Sequence, residues 1–238
     1  IADMPRGGPD ASWLDRLLQT SRPEYLDRDD VDEKVKRGVV RSLARMGSLF
    51  RENERIAGLV LREVADIPDP RILELGAAHG GLSRTILEQH PTASVTVSDV
   101  DPVSVAELDA SDLGSNRRAQ VRMIDATAID APDRSFDLAV FALSFHHLPP
   151  EAAARVFAEG TRVADTLLIV DLPRPPSPIH LAKVLSLIPP ALVWPFAHDG
   201  LISSLRAYSP SALRALAAHA DPAIEVEVIP GSVLGQFL

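Results

Sequence analysis

Cysteine is absent from this 238-residue sequence, which excludes disulfide bonds, thiolate metal sites and cysteine nucleophiles. The absence fits a reducing compartment, and we expect a cytoplasmic protein. Aromatic residues are also scarce, at 5%, whereas hydrophobic residues make up 46% and suffice for a substantial core. Acidic residues outnumber basic ones, 33 to 24, giving a net charge of −9. This charge argues against nucleic acid as the main partner, because surfaces that bind its backbone are usually basic.

Long uninterrupted apolar runs are missing as well. The longest apolar stretch, residues 179–196, contains His180, Lys183 and the pair Pro189-Pro190, so we expect no membrane span. No signal-peptide pattern opens the sequence, although Ile1 is not an initiator methionine and the natural start can lie upstream. The length suits one α/β domain, alone or with an insertion, and leaves monomer and homodimer open as oligomeric states.

From residue 71 onward, short apolar runs alternate with helical patterns. This alternation predicts the α/β fold class, with a doubly wound, mostly parallel sheet. The fifth strand is rich in leucine and is expected to be buried on both faces. Strands are predicted at residues 72–75, 94–98, 121–124, 136–141 and 166–170, and helices at 102–108 and 150–163.

Residues 1–68 are predicted to form an N-terminal helical cap ahead of a main domain at 69–238. The cap contains helices at 31–46 and 49–65, which we expect to cover the open edge of a site without joining the sheet core. The acidic run 27–33 is interpreted as a solvated helix start rather than a metal site.

The pattern of alternating strands and helices breaks after the fifth strand. Residues 172–204 are rich in proline and apolar side chains, and we interpret them as a lid or substrate-facing insertion. The alternative is a plain packing helix with a loop. A helix capped by Ser209 follows, and late strands are predicted at 224–229 and 233–238.

A turn of small residues between the first strand and the next helix is the clearest ligand-binding signal. Residues 76–80 read Gly-Ala-Ala-His-Gly, so a ligand can approach the backbone and the free N–H groups of the new helix. By itself the turn also suits a nicotinamide or flavin site, or a turn that only connects the strand to the helix. Asp99 ends the second strand, where a carboxylate can accept hydrogen bonds from a ribose diol, and Asp125 ends the third, where it can receive an adenine amino group.

Together with Ser135-Phe136-Asp137-Leu138 on the fourth strand, these residues resemble the class I S-adenosylmethionine-dependent methyltransferases. The first motif of that family reads acid-x-Gly-x-Gly-x-Gly, and here Ala78 replaces the middle glycine. That departure argues against a dinucleotide and is tolerable for a nucleoside without phosphates. The resemblance implies a Rossmann-like fold, with S-adenosylmethionine as cofactor and S-adenosylhomocysteine as product. It places Glu74, Gly76 and Gly80 at the methionine part, Asp99 at the ribose and Asp125 at the adenine. Further cofactor contacts are expected from Ala77, Val100 and Ala126.

The pair His146-His147 follows the fourth strand, and Asp171 ends the fifth. Neighbouring strands bring these ends side by side, so a histidine can take a proton from a hydroxyl while the carboxylate orients its ring. The set is similar to that of sugar O-methyltransferases of natural-product biosynthesis, which implies catalysis by two histidines and an aspartate. We predict His146 as the base, Asp171 as its orienting partner and His147 as the second candidate. Alternatively, one histidine only shapes the pocket, or the three residues bind Mg²⁺ or another cation.

Substrate contacts are predicted both in the N-terminal cap and around the end of the lid-like insertion. The segment from His198-Asp199 to Arg206 and Tyr208 is similar to one found in small-molecule methyltransferases, and Tyr25 in the cap can face the same site. The alternative makes Asp199 part of a turn and Arg206 a structural ion-pair partner.

The sequence thus predicts methyl transfer from S-adenosylmethionine to a hydroxyl of a small molecule, with a sugar or glycoside as the leading acceptor. A quinone, polyketide or phenol is the alternative acceptor. A catalytically silent protein that binds S-adenosylmethionine is the second alternative. No nucleic-acid or membrane partner is expected.

Overall fold

The computed structural model describes residues 1–229 of the chain. Five strands form one sheet with the order β3-β2-β1-β4-β5, and all of its strand pairs are parallel. The strands are β1 (Arg71–Leu75), β2 (Ser94–Asp99), β3 (Ala119–Met123), β4 (Phe136–Ala142) and β5 (Ala164–Val170). This confirms the predicted α/β fold with a doubly wound parallel sheet. Its strand order reverses between β1 and β4, where sheets of this type bind ligands.

Helices cover both faces of the sheet. Those before β1 are α1 (Trp13–Leu17), α2 (Glu33–Leu49) and α3 (Glu52–Glu63); those within the sheet region are α4 (Gly81–Gln89), α5 (Pro102–Asp109) and α6 (Pro150–Val163). After β5 come α7 (Ser177–Ala191), α8 (Pro195–Arg206) and α9 (Pro210–Ala220). In the described part of the chain, no helix combines the length and apolarity that a membrane crossing requires.

Two apolar clusters lie on opposite faces of the sheet because side chains alternate along each strand. Leu73 and Leu75 of β1 join the cluster that includes Phe145 and Leu216. Ile72, which directly precedes Leu73, joins the opposite cluster. Full burial of each such side chain stabilises the fold by about 1.5–3 kcal/mol.

Helix α3 corrects the prediction that the N-terminal helices stay outside the sheet core. Ile56, Ala57 and Val60 are buried and belong to the same cluster as Ile72. The apolar face of α3 therefore covers the sheet directly, although it precedes the first strand in sequence.

Strand β5 was predicted to be buried on both faces, and this is wrong. Within residues 1–229 it pairs only with β4, and as an edge strand it leaves Asp165 and Thr166 exposed. Strand β3 also begins earlier than predicted, because its register on β2 starts with Ala119 opposite Val95.

The segments after β5 are largely helical. Residues 172–204, interpreted as a lid or substrate-facing insertion with a packing helix and loop as the alternative, contain α7 and most of α8. The strand predicted at 224–229 is absent from that range; Ile224 and Val226 instead pack against the core without pairing to the sheet. The strand predicted at 233–238 lies outside the described residues. The helix capped by Ser209 is confirmed, since its hydroxyl accepts a hydrogen bond from the Ala212 N–H at 3.1 Å.

Candidate active site

The turn after β1 contains three residues in the left-handed region: Gly76 (φ +67°), Ala78 (φ +47°) and Gly80 (φ +71°). Glycine adopts this conformation without steric cost, whereas Ala78 is strained. A Cβ at Gly76 would lie 3.0 Å from both the Phe141 ring and the Ser144 Oγ. The turn therefore adjoins the end of β4 and the residues that follow it.

Gly80 has a packing role rather than a demonstrable ligand role. A Cβ added there would lie 2.4 Å from the Leu113 side chain and 2.8 Å from that of Leu108. The absence of a side chain at Gly80 thus lets the start of α4 pack against these two leucines.

Asp99 and Asp125 lie at the carboxyl ends of neighbouring strands and retain acceptor capacity. Asp99 accepts hydrogen bonds from the N–H groups of Ala78 and Asp101, one on each oxygen and both at 2.9 Å. Asp125 accepts from the N–H and hydroxyl of Thr127 on Oδ1, both at 2.8 Å. A carboxylate offers about four lone-pair positions, so both residues can accept further hydrogen bonds from the ribose and adenine of a nucleoside.

The other predicted cofactor residues differ in exposure. Val100 is exposed beside Asp99, and Ala126 is half-buried against the core. Ala77 is buried, and its N–H donates to the Ser98 carbonyl at 2.8 Å. The side chain of Ala77 therefore supports the turn from within rather than lining an open surface.

Glu74 is also enclosed, in contrast to its predicted place beside the methionine part of a cofactor. Its carboxylate is buried and accepts a hydrogen bond from the Ser83 hydroxyl. Burial raises the pKa of Glu74 to about 7, because the interior disfavours its charged form. This geometry ties β1 to α4.

His146 and Asp171 meet as the strand order predicts. The Nδ1 atom of His146 lies 2.7 Å from Asp171 Oδ1, and the His146 backbone N–H donates to Asp171 Oδ2 at 2.6 Å. The other ring nitrogen, Nε2, faces Glu24 Oε1 at 3.4 Å. Burial opposes protonation of this ring, but the two carboxylates outweigh it and raise the pKa of His146 to about 9. This enclosure argues against His146 as the general base, because carboxylates occupy the space beside both ring nitrogens and leave neither open to an acceptor hydroxyl.

His147 occupies a more accessible position. Its Nδ1 lies 3.0 Å from Asp27 Oδ2, and its Nε2 lies 3.9 Å from Glu24 Oε2. The side chain is 30% exposed, against 4% for the side chain of His146. Of the two histidines, His147 is the one that a small molecule can reach.

Glu24 and Asp27 are site residues that the sequence analysis missed. Glu24 is buried and accepts a hydrogen bond from the Ser203 hydroxyl at 2.6 Å. Burial opposes ionisation, but the neighbouring histidines and this hydroxyl hold the pKa of Glu24 below its usual range. The acidic run does contain a helix cap, Asp32, yet Asp27 belongs to the site. We call Glu24, Asp27, His146, His147 and Asp171 the histidine–carboxylate cluster.

Two buried arginines hold the N-terminal segment over this cluster. Arg6 donates to the His146 carbonyl at 3.0 Å and stacks on the Tyr208 ring, 4.2 Å from its centroid. Arg174 donates to the carbonyls of Asp15 and Leu18, both at 2.8 Å. These contacts connect residues far apart in sequence, so no local pattern indicated them.

Two of the predicted substrate contacts lie together beside the cluster. Tyr25 stacks on His198, with ring centroids 3.9 Å apart and planes 9° from parallel. Asp199 is buried beneath them; its Oδ1 accepts from the Tyr25 N–H at 2.8 Å and lies 3.0 Å from His198 Nδ1. Asp199 thus positions the pair, and it lies within α8 rather than in the alternative turn.

Arg206 and Tyr208 have structural contacts. Arg206 donates to Asp27 Oδ2 at 3.2 Å and to the His147 carbonyl at 2.6 Å, which matches the ion-pair alternative. Tyr208 is buried in the core, its hydroxyl donates to the Leu148 carbonyl at 2.8 Å, and burial raises its pKa to about 12. The geometry argues against Tyr208 as a substrate contact.

Comparison with known proteins finds a similarity across the sheet region. Residues 72–166 match the family described as "Methyltransferase domain". This match runs from β1 into β5. A malonyl-[acyl-carrier protein] O-methyltransferase from Geobacter sulfurreducens is 30% identical over 138 residues, or 58% of this chain and 50% of that protein. The chain thus spans about half the length of that relative.

Two further similarities extend beyond residues 72–166. A demethylmenaquinone methyltransferase from Thermus thermophilus is 28% identical over 203 residues, or 79% of this chain and 88% of that protein. The solved structure of the plantazolicin methyltransferase BpumL, in complex with a pentazolic desmethylPZN analog and SAH, has a TM-score of 0.61 at 14% identity and covers 84% of this chain and 73% of that one. At this identity the structural match establishes the fold alone.

The matched segment, residues 72–166, supplies only part of the site. Its residues include the turn, Asp99, Asp125 and both histidines of the cluster. The carboxylates around those histidines lie outside residues 72–166, in the N-terminal segment and after β5. The predicted cation-binding set of His146, His147 and Asp171 also changes. Asp171 contacts Nδ1 of His146, whereas Nε2 of that ring faces Glu24. In the described residues, Glu24 completes a group with the two histidines whose ligand atoms lie within 4.8 Å of one another.

Proposed function

We propose that this protein transfers the methyl group of S-adenosylmethionine to a hydroxyl of a small polar molecule, with a sugar or glycoside as the leading acceptor. The observation that carries the proposal is the position of the histidine–carboxylate cluster directly beside the glycine turn. Gly76 adjoins Ser144, which precedes His146 by two residues.

The residues at the strand ends fit the methyl donor. Gly76 leaves the backbone approachable, Asp99 has lone pairs for a ribose diol, and Asp125 has a free oxygen for an adenine amino group. When bound, S-adenosylmethionine supplies a methyl group already activated by its sulfonium. No phosphate cradle is required, which agrees with the alanine at position 78.

A base near the acceptor is needed because a neutral alcohol is a poor nucleophile. His147 can take the hydroxyl proton, and Asp27 on its other nitrogen stabilises the imidazolium that results. The nearby side chains of Glu24 and His198 add polar contacts. This convergence of polar groups favours a polar acceptor, and the name of the Geobacter relative, an O-methyltransferase, supports oxygen as the methylated atom.

A quinone or another extended apolar acceptor is the second candidate. Helix α7 and the residues after it expose Leu185, Leu192, Val193 and Trp194, which suit an apolar molecule. The name of the Thermus relative, a demethylmenaquinone methyltransferase, supports the same class.

Labelled-methyl transfer to matched panels of glycosides, quinones and phenols tests the proposal, with cofactor binding measured separately by calorimetry. Asp99→Ala should weaken cofactor binding about ten- to a hundredfold, as expected for loss of hydrogen bonds to a charged group. His147→Ala should keep cofactor binding and slow transfer about a hundredfold or more. The surface variant His219→Ala is the control and should change neither quantity.

Three outcomes of these assays distinguish the proposed function from its alternatives. Transfer to quinones or phenols alone selects the second acceptor class. Cofactor binding without transfer to any panel member identifies a catalytically silent protein. A folded chain that binds neither S-adenosylmethionine nor its demethylated product contradicts the proposal altogether.

A further inference from the structure

We propose that Glu24, His146 and His147 form a binding site for a divalent transition-metal ion of the zinc type. Two imidazole nitrogens and one carboxylate converge there from segments more than 100 residues apart in the chain. The proposal concerns cation binding and goes beyond the proposed methyl transfer.

The separations of the ligand atoms are close to those of a real site. The Nε2 atoms of His146 and His147 lie 3.4 Å and 3.9 Å from the two oxygens of Glu24. Ligand atoms in a tetrahedral zinc site, with bonds of about 2.0–2.1 Å, are about 3.3 Å apart. A contraction of well under 1 Å at these two contacts would therefore give the spacing between ligand atoms of a tetrahedral site.

The other nitrogen of each ring is already held by a carboxylate. Asp171 contacts Nδ1 of His146 at 2.7 Å, and Asp27 contacts Nδ1 of His147 at 3.0 Å. Metal-binding histidines almost always have such a partner, which fixes the tautomer and directs Nε2 toward the ion. Here the arrangement occurs twice, with both Nε2 atoms facing the same glutamate.

The Nε2 atom of His146 provides an independent indication. It is buried, and within the described residues it makes no hydrogen bond. Its contact with Glu24 at 3.4 Å is long for a hydrogen bond, and when the ring is neutral its Nε2 lone pair is repelled by the carboxylate that it faces. A cation between them satisfies both groups. A proton on the ring is the competing solution, so protons and metal ions compete for this position.

The donor set determines the class of ion. Imidazole nitrogen suits zinc, cobalt, nickel and iron, whereas Mg²⁺ requires oxygen ligands in near-octahedral geometry. Three protein ligands leave a fourth position open, as in catalytic zinc sites. His147 is the exposed member of the set, so this position lies on the side that a water molecule or an acceptor hydroxyl can reach.

Calorimetry on the full chain, stripped with a chelator and titrated with ZnCl₂, tests the site. We expect one equivalent bound, with Co²⁺ binding at the same position and giving the absorption spectrum of a nitrogen-ligated ion. Glu24→Gln and His147→Asn should each weaken Zn²⁺ binding at least about a hundredfold. Asp27→Asn, which leaves all three ligands in place, should weaken it about ten- to a hundredfold. His219→Asn removes a remote surface histidine and should bind like the wild type.

Circular dichroism and thermal unfolding establish that each variant is folded. If Glu24→Gln does not fold because Glu24 is buried, the test rests on His147→Asn alone, since the side chain of His147 is 30% exposed. The proposal is overturned if the stripped wild type takes up no Zn²⁺, if it binds Mg²⁺ in preference, or if folded His147→Asn binds Zn²⁺ like the wild type. None of these results depends on methyl transfer, so failure of this site and failure of the proposed function are distinguishable.

Discussion

Replacing Glu74 by glutamine should change how the stability of this protein depends on pH. Glu74 is buried between β1 and the start of α4, and burial raises its pKa from 4.5 to about 7. A carboxyl group whose pKa is higher in the folded state binds its proton more tightly there than in the unfolded chain. Its stabilising contribution is therefore complete below pH 4.5 and is lost as the pH rises through about 7.

The difference of about 2.5 pKa units corresponds to about 3 kcal/mol, at 1.36 kcal/mol per unit. Glutamine has a similar shape and no titration, so it keeps a polar contact for Ser83 without the cost of a buried charge. The free energy of unfolding of Glu74→Gln, relative to the wild type, should thus rise by about 3 kcal/mol between pH 4.5 and pH 8.

Urea denaturation at a series of pH values, on both proteins without added ligand, measures this difference. Other titrating groups cancel because they are common to the two chains. Glu88→Gln on the exposed side of α4 is the matched control and should run parallel to the wild type. Parallel curves for Glu74→Gln as well would refute the reasoning, since they would mean that Glu74 titrates normally in the folded protein.

Four further substitutions test the packing. Arg174→Met should cost about 3 kcal/mol or more in urea denaturation, because it leaves several buried carbonyls without their donor; a loss below 1 kcal/mol would contradict this. Gly80→Ala should destabilise by about 1–3 kcal/mol through the clash with Leu113, whereas Gly58→Ala, with open space around it, should stabilise by about 0.5–1 kcal/mol. A higher melting temperature for Gly80→Ala than for Gly58→Ala would contradict this prediction. Tyr208→Phe should cost about 1 kcal/mol and leave methyl transfer unchanged; a selective loss of transfer would restore Tyr208 as a substrate contact.

The parts of the structure that were predictable depend on local patterns. Alternating apolar residues gave the strands, and because parallel strands end at one edge, Asp99, Asp125, His146 and Asp171 could be placed there. The close contact between His146 and Asp171 follows from the pairing of β4 with β5.

The parts that were not predictable depend on contacts between distant segments. Glu24 and Asp27 reach the histidines only because Arg6 and Arg174 hold the N-terminal segment in place, and an acidic run gives no sign of such docking. The exposure of β5 had a related cause: a leucine-rich strand looks buried in sequence, but its position at the sheet edge depends on strand order.

The assembly of the cluster from both ends of the chain has a consequence during synthesis. The turn after β1 can leave the ribosome while Glu24 still lacks Ser203, its hydrogen-bond partner in α8. Until α8 has been made, Asp27 also lacks Arg206. A nascent chain would therefore have its glycine turn before its histidine–carboxylate cluster is complete, and chains released before α8 would lack these partners of Glu24 and Asp27.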